Sequence, residues 1–213
     1  MKLHHYYRSS ASYRVRIALA LKGIAWKPHA VHLGKGEHFA PAHTALSPAR
    51  AVPVLEDAGV TVAQSLAIIE YLDETCDGPA LLPETAAGRA FVRELALDIG
   101  CEIHPLNNTR VLRYLEQAGL DERARNAWYR HWVGFGLGVV EAKLERAKRS
   151  AFCHGDRPTL ADCFLVPQIF NARRFECDVT PFPQVMRVFE ACMALEAFSS
   201  TQPARYEPAG GAI

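Results

Sequence analysis

A chain of 213 residues with 49% hydrophobic content can bury one or two full cores and does not belong to the disordered class. Its formal net charge of +1 excludes the long-range positive field that nucleic acid or an anionic membrane surface selects, so any affinity for anions has to come from local clusters. No run of about 18 apolar residues marks a membrane span, and Met1-Lys2-Leu3 leads into His4-His5-Tyr6-Tyr7-Arg8 without an apolar stretch, so a cytoplasmic protein is expected.

In chain order, Lys2 to Tyr6 reads as a short strand and Ser12 to Lys22 as an Ala/Leu-rich helix ended by Gly23. Trp26 to Leu33 alternates as a second strand and is followed by a polar stretch. Val52 to Glu56 and Val60 to Ala63 flank Asp57-Ala58-Gly59 as a hairpin. Ser65 then caps a helix to about Cys76. The order β-α-β-α-β-β-α is that of a thioredoxin-like domain, expected over 1–80. A short linker runs from Asp77-Gly78-Pro79 to Pro83, and helical periodicity dominates from there on, so an all-helical domain is expected over 86–213. Within it, Ala86 to Tyr114 reads as a long helix interrupted at Gly100 and bent at Pro105, which removes a backbone hydrogen bond. Asp121 to Lys148 reads as a second long helix. Thr159-Leu160-Ala161-Asp162 has the form of a capping box that starts a buried helix to about Ala172. The tail from Gln202 is rich in Pro, Gly and Ala and is expected to be loose. The six cysteines include no C-x-x-C pair and the nine histidines no H-E-x-x-H, so no metal site is expected and most of the thiols should be buried.

The run Arg8-Ser9-Ser10-Ala11-Ser12-Tyr13-Arg14-Val15-Arg16-Ile17-Ala18-Leu19 resembles the Ser-Ser-x-x-x-Arg-Val-Arg-Ile-Ala-Leu segment of zeta-class glutathione transferases, the maleylacetoacetate isomerases. Val52-Pro53, Gln64-Ser65-Leu66-Ala67-Ile68-Ile69-Glu70-Tyr71-Leu72, Ile103-His104-Pro105-Leu106-Asn107-Asn108 and Asn171-Ala172-Arg173-Arg174-Phe175 extend the resemblance over nearly the whole chain. It implies a thioredoxin-like domain and a helical domain, a homodimer, glutathione as cofactor and a small dicarboxylic keto acid as substrate. Many members have Cys where this chain has Ala11, so a mechanism needing a protein thiol there is excluded.

Ser9 and Ser10 lie between the first strand and the first helix, where a hydroxyl and helix N-terminal N–H groups can both face a sulfur, with Arg14 and Arg16 adding positive charge. Ser9 is read as catalytic; for Ser10 the catalytic and capping readings stand equal. The resemblance implies a cis Val52-Pro53 bond, with Val52 offering its backbone to an extended peptide ligand. Gln64 and Ser65, at a helix start, suit the γ-glutamyl carboxylate, and His38 the glycyl carboxylate, although a histidine in a polar segment is more often only solvated. His104 and Asn108 are spaced i, i+4 and so share a helix face, with Arg110 about 200° around from Asn108. Glu102 is an exposed acid by default, with a weakly implied contact to the glutathione amine. Arg8, Arg110 and Arg174 are the arginines expected to hold substrate carboxylates and to polarise a carbonyl. The resulting activity is glutathione-dependent cis–trans isomerisation of maleylacetoacetate. The alternatives are maleylpyruvate as substrate, suggested by Val31-His32-Leu33-Gly34-Lys35, or a general transferase or dehalogenase.

Overall fold

The computed structural model describes residues 1–207, which form two compact units. The first holds Met1–Leu81 together with the described residues from Leu195 onward; the second holds Leu82–Ala194.

In the first unit, strands β1 (Lys2–His5), β2 (Lys27–Ala30), β3 (Val54–Asp57) and β4 (Val60–Ala63) form one sheet in the order β2-β1-β3-β4. β1 runs parallel to β2 and antiparallel to β3, with Leu3 opposite both Pro28 and Leu55. Pro28 cannot donate to a ladder and lies on the edge strand, where proline is tolerated. Ala58 (φ 46°) and Gly59 (φ 86°) make the two-residue hairpin turn between β3 and β4, both in the left-handed region that matches the twist of the flanking strands. Helices α1 (Ser10–Leu21), α2 (Pro41–Leu46) and α3 (Ser65–Thr75) complete the order read from the sequence. Helix α1 ends in a Schellman motif: Ile24 N–H donates to Leu19 O and Gly23 N–H to Ala20 O, with Gly23 at φ 67°. At the same end, the buried Lys22 ammonium donates to Asp73 Oδ1 (3.2 Å) and Pro79 O (3.3 Å), and Asp73 also accepts from Leu81 N–H (2.8 Å).

The C-terminal segment departs from the expected domain boundary. Helix α1 buries Tyr13 and Arg16, whose polar atoms need acceptors. The Tyr13 hydroxyl donates to Phe198 O (2.8 Å) and Arg16 Nε to Thr201 O (3.0 Å). Residues from Leu195 thereby belong with the first unit instead of extending the helical domain to 213. Part of the tail expected to be loose is ordered as a 3-10 turn, Pro203–Tyr206; residues 208–213 of that tail lie outside the described residues.

The second unit is built from α4 (Ala86–Leu97), α5 (Thr109–Gln117), α6 (Glu122–Arg146), α7 (Leu160–Arg174) and α8 (Pro183–Met193); the short α9 (Glu196–Ser199) belongs to the first unit. The expected long helix over 86–114 is broken, not bent. Helix α4 passes into a π-helical segment, Asp98–Ile103, then a 3-10 turn, Pro105–Asn107, and restarts after Asn108, whose backbone is extended (φ −66°, ψ 143°). Pro105 has no N–H to continue the ladder, and Ile103 is packed so closely on α6 that a Cβ on Gly136 would overlap Ile103 Cγ1. The capping box is present as expected: Asp162 accepts from Thr159 N–H (2.7 Å) and Oγ (2.8 Å), and also from Cys153 N–H (2.9 Å). Buried Glu141 on α6 caps α8 by accepting from Gln184 N–H and Val185 N–H, both at 2.8 Å. Four of the six cysteines are buried, and among the described residues no helix is long and apolar enough to cross a membrane.

Gly136→Ala forces a methyl into the space held by Ile103. A loss of about 1–3 kcal/mol is expected, read as a lowered urea midpoint; an unchanged midpoint would show that the π-helical segment yields freely.

Candidate functional site

Strand β1 delivers the chain through Tyr6-Tyr7-Arg8 to Ser9, and α1 begins at Ser10, two residues earlier than the periodicity suggests. Ser9 causes the earlier start. Its backbone is extended (φ −70°, ψ 118°) and its Oγ accepts from Ser12 N–H at 3.2 Å, the bond of an N-cap. A hydroxyl has one donor and two acceptor lone pairs, so capping uses a lone pair and leaves the O–H able to donate. The capping and catalytic readings of Ser9 are therefore compatible. Ser10 is the buried first residue of α1, and Ala11 follows it in the first turn, half-buried.

The two arginines of α1 have roles that the sequence reading treated as diffuse positive charge. Arg14 is buried and donates through Nη1 to Ser65 Oγ at 3.2 Å, tying α1 to the first residue of α3. Ser65 is not the cap. Gln64 occupies the cap position with φ 72°, makes no side-chain cap bond and is exposed. A positive φ at a non-glycine residue is uncommon and costs free energy. Arg16 is fully buried; it donates through Nη2 to Tyr7 O (3.2 Å) and through Nε to Thr201 O. Burial lowers its pKa to about 10, while Tyr206 and Tyr13 act to raise it, so it stays charged at neutral pH and fastens the loop before Ser9. No local sequence signal marks this role, because the partner at Thr201 is 185 residues away.

Val52-Pro53 is cis, and Val52 lies two residues ahead of Val54, the first residue of β3 to pair with β1 and β4. His38 sits in a 3-10 turn, Glu37–Phe39, and is buried with its ring 4.0 Å from that of Phe39. His38 is therefore not a solvated surface histidine. Within the first unit the structure thus links Ser9-Ser10 to Ser65 through Arg14, and sets Val54 beside His4 of β1.

In the second unit Glu102 is exposed in the π-helical segment, and His104 ends it, its N–H donating to Ile99 O at 2.9 Å. His104 and Asn108 do not share a helix face as the i, i+4 spacing suggested, because the helix stops between them. Asn108 instead caps α5, its Oδ1 accepting from Arg110 N–H at 3.1 Å. The 200° separation of Arg110 from Asn108 therefore has no meaning: Arg110 is the exposed second residue of α5. Arg173 and Arg174 are both exposed at the end of α7 but are held differently. Arg173 stacks over Phe189 of α8 (4.5 Å), whereas Arg174 lies over Phe175 (5.6 Å), which is stacked on buried Tyr129 (3.8 Å, 18°). Burial raises the Tyr129 phenol well above its ordinary pKa, with Arg174 opposing. Among the described residues no group of three or more His, Cys, Asp or Glu side chains is placed to hold a metal ion.

Comparison with known proteins identifies the family. The family model "Glutathione S-transferase, N-terminal domain" matches residues 3–80, and "Glutathione S-transferase, C-terminal domain" matches residues 136–196. The chain is 50% identical to a maleylpyruvate isomerase of a Ralstonia species, over 96% of this chain and 97% of that protein. It is 47% identical to a maleylacetoacetate isomerase of Pseudomonas aeruginosa, over 96% of each. Among solved structures it is similar to a holo maleyl pyruvate isomerase described as a bacterial zeta-class glutathione S-transferase, with a TM-score of 0.93 and 49% identity, covering 96% of this chain and 98% of that one. A maleylacetoacetate isomerase from Methylobacterium extorquens AM1 with bound malonate and GSH has a TM-score of 0.94 at 36% identity, covering 100% of each chain. With both family models matched in order and such identity along nearly its full length, the chain belongs to the glutathione transferase family, in the zeta class of maleylacetoacetate and maleylpyruvate isomerases.

Proposed function

We propose that this chain catalyses the glutathione-dependent cis–trans isomerisation of maleylacetoacetate to fumarylacetoacetate in tyrosine and phenylalanine catabolism. The observation that carries the reading is the Ser9 hydroxyl, which caps α1 through a lone pair and keeps its proton for a sulfur, in the same unit as a Ser65 hydroxyl held by Arg14. These residues suit glutathione. Ser65 Oγ accepts from Arg14 and retains its own donor at the N-terminus of α3, which fits the γ-glutamyl carboxylate. Val52, ahead of the sheet pairing, suits the peptide backbone. Gln64 and His38 complete the set in the first unit, which takes the main glutathione-binding role; Glu102, His104, Asn108 and Arg110 are the candidates in the second unit, which takes the substrate-binding role.

Glutathione, when bound, supplies the thiol whose reversible conjugate addition turns the cis double bond into a rotatable single bond. A thiol of the cysteine type has a pKa of about 8.5 and is roughly 3% ionised at pH 7; lowering it by about two units raises this to roughly three quarters. Ser9 Oγ–H and the first N–H groups of α1, Ser10 and Ala11 among them, supply that shift by donating toward negative charge. Arg8, Arg110 and Arg174 bind the substrate carboxylates and stabilise the enolate-like oxygen. Malonate bound to a family member supports a dicarboxylate ligand. The reading includes a homodimer acting in the cytoplasm, on the strength of the resemblance. Maleylpyruvate is the second reading, favoured by the 50% identical maleylpyruvate isomerase.

With no Cys at position 11, turnover of maleylacetoacetate is expected only with added glutathione; undiminished turnover after its complete removal overturns the mechanism. Ser9→Ala removes a charge-assisted hydrogen bond of about 1.5–3 kcal/mol. The bound thiol's pKa should rise by roughly one to two units, with the rate falling at neutral pH and recovering at higher pH. A shifted profile for Ser10→Ala alone would transfer the role to Ser10. Comparing kcat/KM for maleylacetoacetate and maleylpyruvate decides the substrate, and Arg174→Ala should cost about 10- to 100-fold with the preferred acid. No loss with either acid removes Arg174 from the site.

A further inference from the structure

Arg8 already faces a carboxylate. Its Nη2 lies 3.6 Å from Glu207 Oε1, and the Tyr7 hydroxyl donates to the same oxygen at 3.2 Å. The Arg8 guanidinium also sits 5.1 Å from the centre of the Tyr7 ring. Glu207 reaches this position because the segment before it is anchored on the first unit. Phe198 O and Thr201 O accept from Tyr13 and Arg16, and Tyr206 stacks on Trp26 (6.0 Å, 20°), meets His5 edge-on (5.8 Å) and covers the Arg16 guanidinium (4.7 Å). The pair itself is loose. Both side chains are more than a third exposed, at 38% and 39%, and ion pairs of that kind are weak and readily exchanged. Tyr7 is buried, its phenol held above the ordinary pKa first by burial and also by the bond to Glu207, so it stays protonated and can retain Glu207 when Arg8 turns to another anion.

We propose that Glu207 is a built-in competitor of the substrate: a carboxylate that occupies Arg8 between turnovers and is displaced from it by a carboxylate of the incoming substrate. The inference rests on the reading that Arg8 binds substrate. Every anionic ligand of Arg8 competes with Glu207, whose tether keeps its local concentration high. Glu207 weakens each anion that uses Arg8 by one common, few-fold factor, which a dicarboxylate can offset through a second partner elsewhere.

The test is Glu207→Gln, which keeps the side-chain length and an acceptor for Tyr7 but removes the charge. Expected are a KM for maleylacetoacetate about two- to five-fold lower with kcat unchanged, and a malonate dissociation constant, measured with glutathione present, lowered by the same factor. Glu190→Gln, an acid removed from α8, should change neither. Unchanged or weakened malonate binding in Glu207→Gln overturns the proposal, as does an equal gain in Glu190→Gln. If the wild-type protein fails to isomerise maleylacetoacetate or maleylpyruvate with glutathione, the functional reading falls. The malonate measurement then decides the role of Glu207 alone, tighter binding in Glu207→Gln upholding it.

Discussion

A cationic side chain with no exposed surface has to be met by oxygen, and Arg16 is such a side chain. Its guanidinium draws in two carbonyls that are far apart in the chain, Tyr7 O just before the proposed nucleophile-activating serine and Thr201 O in the C-terminal segment. The rings of Tyr13 and Tyr206 cover it, giving cation–π contacts in place of water. The start of α1, the loop that presents Ser9 and the last described residues all depend on this one buried charge. Removing it would leave two carbonyls unsatisfied in the core of the first unit, the costly side of the hydrogen-bond balance.

The same economy of donors and acceptors runs through the candidate site. Ser9 gives a lone pair to Ser12 N–H and Ser65 gives one to Arg14, so each hydroxyl is oriented by the fold while its proton remains available to a ligand. Orientation from the acceptor side is what preorganises a donor toward developing negative charge without a reorganisation cost during reaction. In the second unit, side-chain carboxylates work the other way round. Asp162 uses its oxygens on the N–H groups of Thr159, at the start of α7, and of Cys153 in the loop before it, and Glu141 uses both on N–H groups at the start of α8; their burial serves the helix frame that carries Arg174.

The arginines divide along this line. Buried Arg14 and Arg16 are committed to hydroxyl and carbonyl partners within their own unit. Arg110, Arg173 and Arg174 are exposed, and Arg8 is partly so, with the Tyr7 ring and the weak Glu207 pair beside it. That separation, between guanidiniums that build the scaffold and those that can exchange one anion for another, is compatible with the substrate recognition proposed for Arg8, Arg110 and Arg174.

By itself the sequence determined whatever is encoded within a few residues. The alternation of strand and helix in the first unit, the hairpin at Ala58-Gly59, the stop at Gly23 and the Thr159–Asp162 capping box were all legible, because each is a side chain or a backbone preference acting on amides three or four positions away. A serine of the Ser9-Ser10 pair was legible as the cap of α1 for the same reason. The tertiary structure alone decided how the chain resolves conflicts between local preference and distant packing. Ile103 packed on Gly136, with Pro105 behind it, replaces a bent helix by a break and so cancels the i, i+4 relation of His104 and Asn108. Arg14 claims the Ser65 hydroxyl that local rules assign to capping. Tyr13 and Arg16 fold the C-terminal segment onto the first unit and bring Glu207 to Arg8. In each case a buried group takes its partner from a distant part of the chain, and a partner at that separation is chosen by burial and geometry in three dimensions, not by spacing along the sequence.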